Sequence, residues 1–580
     1  MKTKYIFKLV CIAIIITICS CNDFLEVEPS KRLDTNYWKT SDDAEKALIG
    51  AYKPLQIVPN QRNFDHLWQI GDCMSDDSRK GGGTNQDQGW LYDFQLYRGK
   101  ISDSEVFIKF WNFIYEGARH TSMVINNVGT MPDEVFSDGQ KDRIIAEAKF
   151  LRGFYYFVGV NLFGETIPLI TEVMEAGEEN KKEIPFARPN ALPGEIYDQI
   201  EKDLKEAIPF LPWIVSQENQ GRATKGAAIG MLAKVSIWRG KWQQAWDNAD
   251  LLIQEGPYDL FATKYENLWD CDYEHNPNSV WEINYTPTGT GEPRTGTMAS
   301  IFMNPRNTWG YGFNFPSKDL YNSYEYGDPR RSATIISWGD TIIQGLPPVK
   351  TIFRMKFDPK VVGNKAYYVE KEDGSMDKSI GYGTAMDIRK KGFDHCGTAA
   401  NIDSMMNRKY YLPLKYIPNQ YGMPQNQGET NIRYLQIAEV YLFRAEASYH
   451  LSNENQAKED LKAIRSRAKL SIPSNISQEE ASLILPESVV DNASGDELLK
   501  LIYKERRIEL AMEGHRYFDL MRRNLNEAKV ILDEYIKTER KFIEDGVSNN
   551  RWTEKYRVLP FPQSEITKSG GLMTQPIGWK

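Results

Sequence analysis

ATKGAAIGMLAKVSIWRGKWQQAWDNADLLIQEGP (Ala223–Pro257) decides the fold. Ala233, Trp242, Ala245, Ala249 and Pro257 fall at tetratricopeptide spacing, with Gly240 at the turn between two amphipathic stretches. Small residues let two antiparallel helices approach closely, and the proline cannot continue the second helix. The segment Arg433–Leu470 repeats the scheme, with Ala445 and Ala447 on its first helix and Ala457, Leu461 and Ile464 on its second. Two weaker pairs precede them: 42–53 with 105–128, and 140–162 with 192–211. The long insert 54–104 inside the first pair reads as an elaborated loop.

Between about Trp269 and Thr430 the helical period fades and Gly, Pro, Asn and Tyr rise. Val280–Tyr285 alternates like a short strand, while 289–296 and 304–315 read as turn-rich loops. A helical scaffold carrying irregular inserts is a common way to hold a recognition surface. The expected fold class is therefore mostly α, a tetratricopeptide-like helix-pair scaffold with a loop-rich insert and a few short strands. The expected divisions are 1–20, 21–30, 31–268, 269–430 and 431–580.

Composition narrows the function. Lys and Arg number 71 against 79 Asp and Glu, a net charge of −8 with no long basic run. Nucleic acid is excluded as a partner, because phosphate binding needs a concentrated cationic face. Lys2, Lys4 and Lys8 precede an apolar run from Leu9 to Ser20, too short to span a bilayer. Ile18-Cys19-Ser20-Cys21 is similar to a lipobox, which makes Cys21 the acylated first residue of the mature chain; ordinary signal cleavage nearby is the alternative. Residues 21–30 then form an acidic leader. Cys73, Cys271 and Cys396 remain, without CxxC spacing, so neither a disulfide framework nor a zinc site is expected, although one bridge stays open.

AEAKFLRGFYYFVGVNLFGETIPLI (Ala146–Ile170), IRYLQIAEVYLFRAEA (Ile432–Ala447), ERRIELAMEGHRYFDLMRR (Glu505–Arg523) and LPFPQSEI (Leu559–Ile566) together resemble the SusD/RagB family of Bacteroidetes outer-membrane nutrient-binding lipoproteins. The closing Gln575–Trp579 looks like the family's ending but departs at two middle positions. The resemblance spans essentially the whole chain. It implies four tetratricopeptide-like units, a place at the cell surface as the lid of a SusC-like TonB-dependent transporter, and an oligosaccharide ligand bound without bond cleavage. Peptides or other nutrients are alternative ligands in such a family.

Other constellations carry less. Glu505, Glu509 and Glu513 recur every four residues and read as one helix face, neutralised by Arg506, Arg507 and Arg516; an ion-pair scaffold is expected there, against an acid–base reading with His515. Asp270-x-Asp272-x-Glu274 fails as an EF-hand, since His275 and Trp281 stand where Gly and Glu are required. No cofactor is expected, with an irregular structural calcium site left open. His395–Cys396 has no ligand-spaced partner, and GxSxG, HExxH and P-loop patterns are missing. Carboxylates of a lipid-anchored glycoside hydrolase leave no local signature, so that class, like a purely structural subunit, stays open.

Of the residues, 12% are aromatic. Trp90 and Tyr92 follow a polar, glycine-rich stretch containing Asp76 and Arg79, and Trp309 and Tyr311 alternate with small or amide residues. Rings that receive the C–H face of a sugar, beside polar groups that meet its hydroxyls, suit glycan capture. The alternative is that these rings pin long loops onto the scaffold.

Overall fold

In the computed structural model, the described residues are 37–56, 67–82, 85–172, 189–285, 296–303, 311–337, 369–370, 376–377, 411–413, 430–472, 474, 477–538 and 550–579. Cys21, the leader, Trp309 and His395–Cys396 lie outside them. Eleven helices are labelled here: α1 (Ser41–Tyr52), α2 (Gly89–Gln95), α3 (Ile108–Thr130), α4 (Gln140–Phe163), α5 (Glu195–Ala207), α6 (Lys225–Trp238), α7 (Trp242–Glu255), α8 (Ile437–His450), α9 (Glu454–Lys469), α10 (Asp496–Glu509) and α11 (Arg516–Met521). All four expected pairs form: α1 packs on α3, α4 on α5, α6 on α7 and α8 on α9, with α5 against α6 and α7 against α8 joining them into one stack.

Local chemistry explains the elements. The Thr40 hydroxyl accepts the Asp43 N–H while Asp43 accepts the Thr40 N–H, a reciprocal cap that starts α1. Gly240, at φ +64°, makes the tight turn between α6 and α7. Helix α6 is buried on every side from Gly226 to Ile237, which its small residues permit; a Cβ on Gly230 would lie 2.3 Å from Leu435. No helix among the described residues is long and apolar enough to cross a membrane.

Among the described residues, eight short strands pair in twos, all antiparallel: β1 (Ser78–Lys80) with β3 (Asn314–Pro316), β2 (Ser279–Ile283) with β8 (Ile432–Gln436), β4 (Ile335–Ser337) with β7 (Tyr411–Pro413), and β5 (Val369–Glu370) with β6 (Met376–Asp377). The expected strand at 280–285 is present. The helix expected from Arg433 instead begins at Ile437. Residues 432–436 are buried on both faces and hydrogen-bond to β2, which serves their backbone better than a buried helix start. Phe150, Phe154, Trp281 and Tyr434 meet edge-to-face beneath that pair, with ring centroids 4.8 to 5.7 Å apart.

A second correction concerns the glutamates. Helix α10 ends at Glu509, and Met512 adopts φ +64°, so Glu513 sits in a turn and not on the face of Glu505 and Glu509. Glu505 pairs with Arg330 and Arg465, Glu509 with Arg330 and Arg467, and Glu513 accepts from Gln436. The ion-pair scaffold itself is present: Arg506 bridges Asp519 and Glu439, and Arg522 grips Glu446 with both amino groups. His515, half-buried near Lys234, Arg506, Glu439 and Asp519, is pushed down to about 3 by desolvation and by the two cations, so it stays neutral.

Candidate functional site

The two stretches singled out for ligand contact, 76–92 and 309–311, lie far apart in sequence, and the fold draws their described parts together. Strand β1 pairs with β3 so that Arg79 faces Phe315 and Lys80 faces Asn314. The pairing continues as Gly81 and Gly82 donate backbone N–H groups to Phe313 and Gly312, each at 2.7 Å. Gly81 is required, because a Cβ there would lie 2.0 Å from the Gly312 carbonyl oxygen. Phe313 in turn donates to the Phe302 carbonyl at 2.8 Å, so Ala299–Met303 joins the assembly.

The side chains build an aromatic and cationic cluster. Lys80 Nζ lies 6.0 Å from the Tyr92 ring centre and 5.9 Å from that of Phe313. Arg98 lies 5.2 Å from the Tyr92 ring centre and also donates to Asp93 at 2.6 Å. Arg79 stands 5.9 Å from the Phe315 ring, and Tyr311 packs against Phe302 and Phe313, each 5.9 Å away. Cations over ring faces of this kind are held by the ring quadrupole.

The structure sorts the sequence candidates by exposure. Trp90 is 9% exposed, edge-on to Phe107 at 5.3 Å, with its indole N–H given to Gln88; Tyr92 is 5% exposed. Both rings are thus enclosed by their neighbours. Asp76 is 2% exposed and its carboxylate is occupied by Arg516 at 2.8 and 3.0 Å and by Arg507 at 2.9 Å, so it is an internal counter-ion and not a rim group. Burial opposes ionisation of Asp76, yet Arg507 and Arg516 outweigh it and hold the carboxyl far below the usual range. Arg79 and Tyr311 are half-buried and remain at the surface of the cluster. Lys80, Arg98, Phe302 and Phe315 were missed by sequence reading. For Lys80 the signal was the run Ser78-Arg79-Lys80, which is too short to mark a strand, and Arg98, Phe302 and Phe315 carried no local signal.

The acidic stretch near Asp270 brings the ligand atoms of Asp270, Cys271 and Asp272 within 4.8 Å of one another. A thiol is a soft donor and calcium a hard cation, so this trio does not suit calcium. Cys73 is buried and Cys271 half-buried.

Comparison with known proteins covers the same span. A family model described as "SusD family" matches residues 265–579, and one described as "Starch-binding associating with outer membrane" matches residues 23–237. The chain is 23% identical to "SusD-like protein P2" of Formosa agariphila over 588 residues, covering 99% of each. It is 24% identical to a "SusD-like protein" of Bacteroides ovatus over 632 residues, covering 100% of this chain and 98% of that one. Among solved structures, a "Laminarin binding SusD-like protein" superposes with a TM-score of 0.65 at 25% identity, covering 93% of this chain and 100% of that chain. Surface glycan-binding protein A from Bacteroides thetaiotaomicron, solved in complex with laminarihexaose, gives a TM-score of 0.66 at 20% identity over 93% of this chain and 99% of that chain.

Proposed function

This chain belongs to the SusD family, and from that premise we propose that it is a surface glycan-binding protein that captures an oligosaccharide and passes it to a SusC-like TonB-dependent transporter. The observation that carries this reading is the end-to-end match to SusD-like proteins, together with a laminarin-binding protein of the same fold. Outer-membrane association follows the description of the family model that matches residues 23–237; acylation of Cys21 and an outward-facing position are part of the proposal. Capture without cleavage agrees with relatives named for binding.

With Trp90 and Tyr92 enclosed, Tyr311 is the ring we put forward to stack on a sugar, with Trp309 two residues before it in sequence and Arg79 as a donor to hydroxyls. Ring and guanidinium are the two groups such a ligand needs, one for its C–H face and one for its oxygens.

Affinity electrophoresis of the chain from residue 22 onward, through gels cast with a polysaccharide panel that includes laminarin, tests the assignment. Retardation by at least one glycan, reduced about tenfold in affinity by Tyr311→Ala, is the expected result. No retardation by any glycan, with binding to a peptide pool instead, would move the assignment to peptide capture. Release of shorter sugars during incubation would make the protein a hydrolase.

A further inference from the structure

Beneath the strand pair β1–β3 lies a buried cluster with more carboxylates than cations. Asp72, Asp76 and Asp77 come from one loop and are each at most 2% exposed. Two guanidiniums face them. Arg516 holds Asp76, while Arg507 reaches Asp76 at 2.9 Å, Asp77 at 2.6 Å and the more exposed Asp319 at 2.7 Å. Asp72 has no cation of its own. It accepts the Asn314 side-chain amide and the Gly514 N–H, both at 2.8 Å. The Asp77 Oδ2 atom is buried with no hydrogen-bond partner.

Three buried carboxylates against the buried Arg516 and the part-buried Arg507 leave one negative charge unmatched, and burying an unmatched charge is unfavourable unless a proton removes it. We propose that the Asp72–Asp77 pair holds one proton and acts as a proton-sensitive latch under the candidate ligand face. The position of the cluster gives the latch its lever. Asp72 ties β3, through Asn314, to the turn after α10, through Gly514. Asn314 also accepts from Ser78 Oγ on β1 at 2.6 Å. The loop backbone is pinned to the same strand end, since Ser317 gives its N–H to the Asp77 carbonyl and its hydroxyl to the Asp76 carbonyl. With the proton in place the cluster is neutral and the two strands are firmly joined to α10 and α11. When the proton leaves, the surplus charge pushes the loop away from its neighbours.

The groups facing the pair from each side are these. Their own loop supplies Asp76 and the Cys73 thiol; α10 supplies Arg507; the turn after α10 supplies Glu513; α11 supplies Arg516; Lys318–Ser323 supplies Asp319, and the buried Tyr324 follows it; β3 supplies the uncharged Asn314. The direction of titration agrees. Burial, with Asp77 and Glu513 nearby, raises Asp72 to about 7, and burial, with Asp76 nearby, raises Asp77 to about 6. A carboxyl whose native value lies above its unfolded value contributes stability that is complete at low pH and is lost as pH rises through the native value. The window is therefore between about pH 4 and pH 7.

Amide hydrogen exchange of the peptide containing residues 78–82, corrected for intrinsic rate, reads the latch with no ligand present, so the result is separable from the glycan assignment. In the wild-type chain the opening equilibrium is expected to rise roughly tenfold from pH 5.5 to pH 8. Asp77→Asn keeps the acceptor for Arg507 and puts an amide where Oδ2 lacks a partner, imitating the protonated form. Its exchange should change less than twofold over the same range. A flat wild-type profile overturns the proposal whether or not the variant folds, and so does a variant profile as steep as the wild type.

Discussion

Arg516→Met tests how the scaffold holds the candidate face. Methionine keeps most of the length and packing of the arginine stem while deleting its charge. In the native chain Arg516 gives two hydrogen bonds to Asp76, at 2.8 and 3.0 Å, and is 7% exposed. Each hydrogen bond to a charged group is worth about 1.5–3 kcal/mol, and breaking a buried ion pair from one side costs about 3–5 kcal/mol. Asp76 keeps Arg507 at 2.9 Å, which places the expected loss at the lower end, about 3 kcal/mol. The variant also worsens the imbalance in the cluster, leaving three carboxylates to one guanidinium. Adding Asp76→Asn should therefore return part of the loss, making the double variant more stable than Arg516→Met alone. Urea unfolding followed by tryptophan fluorescence measures all three proteins. The pH dependence has a defined sign: Asp76 is held below its unfolded value, so its contribution is complete above about pH 4 and disappears as pH falls. The deficit of Arg516→Met should shrink on acidification below that point. A single variant within about 0.5 kcal/mol of wild type, the size of an ordinary surface change, would refute the reasoning, as would a double variant less stable than the single.

Gly71→Ala would place a Cβ 1.8 Å from the Gly514 carbonyl oxygen, so the loop and the turn after α10 must separate; a loss above about 3 kcal/mol or failure to express soluble protein is expected, read by thermal unfolding and yield. Trp579→Ala removes a ring stacked 5.7 Å from Phe94 and an indole donor to the Val558 carbonyl, with an expected cost of about 3–5 kcal/mol in urea unfolding and faster proteolysis of the C-terminal segment. His515 is kept neutral by burial and by Lys234 and Arg506, so its contribution is complete above about pH 6.5 and is lost as pH falls toward 3. Its ring nitrogen signals in NMR should therefore show no protonation at pH 5; a titration midpoint near 6.5 would contradict the burial argument.

The helix pairs were legible because each needs small residues at fixed positions to let two backbones approach, and Ala233, Ala245, Ala249, Ala445 and Ala447 are all fully buried in the structure. Strand β2 was legible because alternation over Val280–Tyr285 is a local signal. Strand β8 was not, since Ile432–Gln436 is buried on both faces and carries no alternation to separate it from the helix it adjoins. The face itself was half legible. The aromatic loops singled out in the sequence are brought together, but whether a ring points out or in depends on tertiary partners. Trp90 meets Phe107 nearby, whereas Tyr92 is covered by Lys80 on a strand whose own partner begins at Asn314. Glu513 was misplaced because a four-residue spacing continues through a helix end when the stop is a left-handed Met512 and not a glycine or proline.

The most recognisable motif, Glu505–Arg523, and the least recognisable region, the loops around Arg79 and Tyr311, are two ends of one arrangement. The motif directs Arg507 and Arg516 outward from α10 and α11 into the loop 72–77, while Arg506 and Asp519 turn inward to α8. The same few residues thus bind the helix stack and the loop. Such a base tolerates little change. Above this base, strands β1 and β3 continue their pairing through backbone hydrogen bonds, from Gly81 to Phe313 and Gly82 to Gly312. In the proposed role, specificity for one ligand over another falls to the loops that the scaffold carries and not to the ion-paired base.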